Sequence, residues 1–172
     1  MLCLTLNLFA NLARARGQFE RATTLSRESV VLGRTLERGG ERGNILGRSL
    51  VHLGYVLSEQ GHVDEAMAIM KEGVAELRGS GMTGFALAQA LEWIAPLVAA
   101  TGDSLRAARL FGAADAAWRA SGLTRYSLDD QAHARDVQAV KDQLDDDMFE
   151  EAMAEGRAMT SAQAISYALG EA

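Results

Sequence analysis

A nine-residue string that recurs three times constrains this chain more than any other feature. The copies are Gly17-Gln-Phe-Glu-Arg-Ala22-Thr-Thr-Leu25, Gly61-His-Val-Asp-Glu-Ala66-Met-Ala-Ile69 and Gly102-Asp-Ser-Leu-Arg-Ala107-Ala-Arg-Leu110. Their glycines stand 44 and then 41 residues apart. Self-similarity at such a period marks stacked units, none of which buries its apolar face alone. Each copy reads as a corner between two helices. The glycine takes the left-handed conformation that ends one helix, and an alanine five residues on lets the next helix pack closely. Around the middle copy, Leu50, Leu53, Tyr55 and Leu57, then Ala66, Met70, Val74 and Leu77, recur mostly at helical spacing.

The spacing predicts helices at about 2–15, 18–38, 41–60, 63–79, 83–101 and 104–121, three pairs in all. Glycine-rich breaks separate them at Gly39-Gly40 and Gly43, at Gly79-Ser80-Gly81 and at Gly122. Leu2, Leu4, Leu6 and Leu8 alternate as a strand would, but Phe9, Leu12 and Ala13 continue them at helical spacing, so helix is expected there. Beyond Gly122 the string is absent. Ser127-Leu-Asp-Asp130 is expected to cap a helix running to about Leu144, Asp145 to Asp147 to open another, and Thr160-Ser161 to cap a last one. The expected fold is an all-α right-handed solenoid of three helix pairs over 1–122, with a C-terminal helical cap over 123–172. Pro96, inside the fifth helix, removes a backbone donor and is expected to kink it.

Residues of the repeat resemble the tetratricopeptide pattern. Leu53-Gly54, Gly61, Ala66 and Met70 match its Leu-Gly pair, turn, close-packing alanine and following large residue. The third unit keeps Ala107 and Phe111 but has Ile94-Ala95 for Leu-Gly, and the first follows Ala22 with Ser26. The period exceeds that of the strict repeat. Ala107 to Asp115, Phe149 to Thr160 and Ala164 to Leu169 further resemble the C-terminal ends of large bacterial signal-transduction ATPase regulators of the LuxR or SARP type. That resemblance implies a sensor or protein-interaction arm, as a fragment or a stand-alone remnant of such a regulator. No Gly-x-x-x-x-Gly-Lys-Ser/Thr loop and no evident DNA-reading helix-turn-helix occur in the chain.

Charge and chemistry narrow the function. A net charge of −6 argues against nucleic acid, whose phosphates demand a basic face. A single cysteine, Cys3, rules out an internal disulfide framework and fits a reducing compartment. No run approaches a membrane span, and Met1 to Leu12 lacks the basic start and cleavage site of a signal peptide. A cytoplasmic, non-enzymatic protein without metal or cofactor is therefore expected. His52, His62 and His133 lack ligand spacing with Cys3. The acids of Asp129-Asp130 and Asp145 to Asp147 read as helix-start carboxylates, and Trp93 and Trp118 as packing residues.

What remains is a surface. In solenoids of helix pairs the first helices line the concave side, where partners dock. Projection of the repeat places Asn7, Asn11 and Arg14, then Arg48, Tyr55 and Glu59, then Gln89 and Glu92 on that side. The function expected is binding of a protein, a peptide or a small effector within a bacterial signalling or transcription regulator. The alternative is a structural homodimerisation module. The leucines of the first helix, Leu4 and Leu8 among them, are expected to form the interface of a homodimer.

Overall fold

The computed structural model describes residues 2–36, 40–80, 84–123 and 127–171, apart from the side chains at 40 and 127–129. Among these residues it is all-helical. The helices are α1 (Leu2–Ala15), α2 (Phe19–Thr35), α3 (Gly40–Glu59), α4 (Val63–Gly79), α5 (Phe85–Ala100), α6 (Ser104–Ser121), α7 (Ser127–Lys141), α8 (Asp146–Ala158) and α9 (Ser161–Leu169). Leu2, Leu4, Leu6 and Leu8 lie in α1, so helical spacing prevailed over the alternating run. Gly39 and Gly81 of the expected breaks, and the side chain of Ser127 as a cap, fall outside the described residues.

The three glycine corners share one geometry. Gly17, Gly61 and Gly102 have φ of 70°, 81° and 91°, which a side chain would strain. At each, the glycine N–H donates three residues back and the next N–H five back: Gly17 to Arg14 and Gln18 to Ala13, Gly61 to Ser58 and His62 to Leu57, Gly102 to Ala99 and Asp103 to Val98. This is the Schellman closure, which satisfies two carbonyls that a helix end leaves without partners. Gln18, His62 and Asp103 then enter the next helix with nearly the same backbone angles, ψ being 61°, 61° and 68°. Five residues after each glycine, Ala22, Ala66 and Ala107 are fully buried.

Packing divides the chain into two compact units, Met1–Met82 and Thr83–Ala172. In the first, α1 packs on α2, α3 on α4, and α3 also on α2 and α1. Ala13, Ala22 and Val56 form a buried cluster at the first corner. Leu46, Leu50, Leu57, Met70, Val74 and Leu77 fill the rest, each contributing about 1.5–3 kcal/mol by burial. Glycines set the α3–α4 approach: a Cβ on Gly47 would stand 2.8 Å from Gly73 O, and one on Gly73 2.8 Å from Gly47 O. Gly43, expected to break the chain, is inside α3 for the same reason, since a Cβ there would lie 2.8 Å from Glu76 O. Two ion pairs join α2 to α4, Arg27 to Glu65 at 3.5 Å and Arg34 to Glu72 at 2.9 Å. Both partners advance by seven residues, so the two second helices run in the same direction.

In the second unit α6 is central, packing on α5, α7, α8 and α9. Pro96 lies within α5, which continues through it. Gly112 and Gly156 let α6 and α8 cross at backbone contact, with a Cβ on Gly112 meeting Met153 and one on Gly156 meeting Arg109. Arg109 pairs with Glu155 across that crossing and donates to Tyr167 Oη at 3.3 Å. Arg106 donates to the carbonyls of Tyr167 and Ala168 at 2.7 and 3.3 Å, placing a cation at the negative end of α9. Thr160 and Gln163 form a reciprocal capping box at the start of α9.

Candidate partner-binding surface

Asn7, Asn11 and Arg14 follow i, i+4, i+7 on α1, and Arg48, His52, Tyr55 and Glu59 follow the same stripe on α3. Packing of α1 on α3 brings most of these groups together. Arg14 Nε donates to Asn11 Oδ1 at 2.9 Å, and its NH1 donates to both carboxylate oxygens of Glu59 at 3.1 Å. The guanidinium carbon lies 4.7 Å from the centre of the Tyr55 ring. Further along, Asn7 Nδ2 donates to Ser49 Oγ at 3.3 Å, Ser49 and Ser29 hydroxyls meet at 2.7 Å, and Ser29 Oγ donates to Cys3 O at 3.0 Å.

The sequence expectation was an open polar stripe; the structure encloses much of it. Asn7, Asn11, Arg14 and Tyr55 are buried, while Arg48 and Glu59 keep partial access to solvent. The physical reason is that α1 and α3 approach closely enough for their polar groups to satisfy each other. His52 is buried in the same seam. Burial, together with the positive charges of Arg14 and Arg48, pushes its imidazole from 6.5 down to about 3. His52 is therefore neutral at physiological pH. Ser29, Ser49 and His52 were not among the expected site residues. A signal for the first existed: Ala22, Ser26, Ser29, Val30 and Gly33 form the buried face of α2, and two serines on it mark a place where polar partners meet.

Gln89 and Glu92 belong to the second unit, and both are buried. Glu92 Oε2 accepts from Trp118 Nε1 at 2.5 Å. His133 Nδ1 stands 3.2 Å from Glu92 Oε1, at ion-pair distance but off the hydrogen-bonding angle. Rings complete the cluster edge to face, Phe85 against Trp118 at 5.3 Å and Phe111 against His133 at 5.7 Å. Trp118 and His133 come from α6 and α7, and no spacing in the sequence connects them to Glu92. Trp93 and Trp118 are buried, in keeping with packing roles.

Outside these seams, α1 presents an apolar surface. Leu2, Leu8 and Phe9 are 61%, 58% and 53% exposed, and Leu12 of the same helix is exposed as well. Of the two expected interface leucines, Leu8 is exposed and Leu4 half-buried. Cys3 is buried, and His62 is an exposed turn residue at the start of α4. Two open depressions, of about 670 Å³ at Gly17–Arg21 and about 420 Å³ beside Met159, Gln163 and Tyr167, contain none of the expected partner-binding residues among their described walls. Among the described residues no three His, Cys, Asp or Glu side chains cluster as metal ligands, and no helix is long and apolar enough to cross a membrane.

No protein-family model matches this chain, and neither the curated proteins nor the solved structures contain a match.

Proposed function

We propose that the chain is a non-catalytic helical-repeat module that binds a protein or peptide, as an arm of a bacterial signalling or transcription regulator. The observation that carries this reading is the triple recurrence of one corner geometry at Gly17, Gly61 and Gly102. Recurrent corners of this kind generate stacked helix pairs whose first helices present a continuous face, the usual docking surface of repeat proteins. A right-handed solenoid of three pairs closed by the C-terminal helices is the architecture that such corners imply. Within the first unit, the parallel course of α2 and α4 supports it.

Arg48 and Glu59 are the members of the polar stripe that keep access to solvent, Glu59 while paired with Arg14, whereas Asn7, Asn11, Arg14 and Tyr55 are buried. Their charges suit a peptide carrying both signs. Capture from a bacterial lysate on the immobilised full chain tests this. Arg48→Glu is expected to lose proteins that wild type and an Arg27→Glu control on α2 both retain, with all three equally helical. Identical capture by all three chains would refute a role for this stripe.

A further inference from the structure

The repeat register identifies what the exposed face of α1 is built to meet. Positions 44 residues apart are equivalent in the first two pairs, so Leu2, Thr5 and Leu12 on α1 correspond to Leu46, Ser49 and Val56 on α3. In α3 those three are buried, at 1%, 0% and 0% exposure. What covers them is known in detail. Gly33 of α2 fits against Leu46, with its Cβ position 3.2 Å from Leu46 Cα. Ser29 of α2 meets Ser49 at 2.7 Å, and Ala22 of α2 joins Ala13 and Val56 in one cluster. On α1 the equivalent positions are exposed.

We infer that this face of α1 docks a helix pair of the same repeat type, whose second helix presents small residues in the manner of Ala22, Ser26, Ser29 and Gly33. Three features agree on that occupant. The α1 side chains at the equivalent positions are apolar or small, as are those of α3. The run from Leu2 to Ala13 carries no charge, so nothing on it selects an oppositely charged partner. The exposed apolar residues Leu8 and Phe9, at helical spacing from Thr5 and Leu12, flank the same stripe and widen it. This surface is distinct from the Arg48 and Glu59 stripe, and the test below leaves that stripe untouched.

A full chain extended at its start by an in-frame copy of its own residues 1–44 supplies such a pair at the register of the natural repeat. Both copies carry Cys3→Ala, and Leu12→Cys in the original copy is the sole thiol. Maleimide labelling of that thiol is expected to slow at least about ten-fold relative to the unextended chain, because docking must open before the thiol reacts. Gly33→Leu in the added copy alone, which puts a side chain where Leu2 must approach and so holds the added pair off the face, is expected to restore fast labelling. Equal labelling with and without the added copy would overturn the inference. So would slow labelling of the unextended chain that sets in with rising protein concentration, which would assign the face to a second copy of this chain.

Discussion

Acid should loosen the first unit through His52, and the size of the effect follows from where that imidazole sits. Burial and the neighbouring Arg14 and Arg48 hold its pKa at about 3, whereas the unfolded chain returns it to 6.5. Above 6.5 the ring is neutral in both states and stability is independent of it. Between 6.5 and 3 the unfolded chain takes up a proton that the folded chain refuses, so stability falls as pH falls. Below 3 both states are protonated and the loss levels off. At about pH 4.5 the difference is two pH units from the unfolded value, or about 3 kcal/mol, out of a ceiling near 5. Against a total stability of about 5–15 kcal/mol this is a large fraction. Urea unfolding at about pH 7.5 and about pH 4.5, for wild type and His52→Gln, isolates it, because the glutamine does not titrate. Wild type is expected to lose about 3 kcal/mol more than the variant on acidification. Equal losses, or an NMR titration of the folded His52 ring near 6.5, would show that the seam does not exclude the proton.

Ala66 is fully buried beside Gly54 and Met70, so Ala66→Leu is expected to cost about 1–3 kcal/mol by overpacking, read as a lowered melting temperature. At Gly156, helix propensity alone favours alanine by about 1 kcal/mol. The contact with the Arg109 carbonyl opposes it, so Gly156→Ala is expected to destabilise and to raise hydrogen exchange in α8; a stabilised variant would disprove the close crossing.

Much of the helical plan was legible because it is written in local chemistry. A glycine that must adopt positive φ, followed at fixed distance by an alanine without room for more, leaves the same mark at 17, 61 and 102. Capping at Thr160 was equally local. Gly43 misled because a glycine that ends a helix and a glycine that admits a neighbouring backbone look alike in sequence, and only the α3–α4 crossing separates them. The spacing shows that the candidate residues share one face on α1 and one on α3, yet their burial was not foreseeable. Whether Arg14 faces solvent or Glu59 depends on how closely α1 approaches α3, a distance that no periodicity encodes. Likewise, Glu92 gains its contacts from helices 26 and 41 residues further along the chain, by tertiary packing alone.

The polar seam also explains how helices as apolar as α1 settle on one register. Leucine and alanine faces slide past each other at little cost, because burial is proportional to area and indifferent to partner. Arg14 is not indifferent. Its buried guanidinium has both oxygens of the Glu59 carboxylate and the Tyr55 ring face on α3, besides the Asn11 amide oxygen on its own helix, and shifting α1 by one turn along α3 would forfeit the carboxylate and the ring together. Leaving such a charge without its partner costs about 3–5 kcal/mol, enough to make displaced packings rare. The same residues that hold α1 in place thereby fix the spacing between the first helices of adjacent pairs. Arg48 and Glu59 inherit their positions from that spacing, so the interior seam sets the geometry of the surface a partner would read.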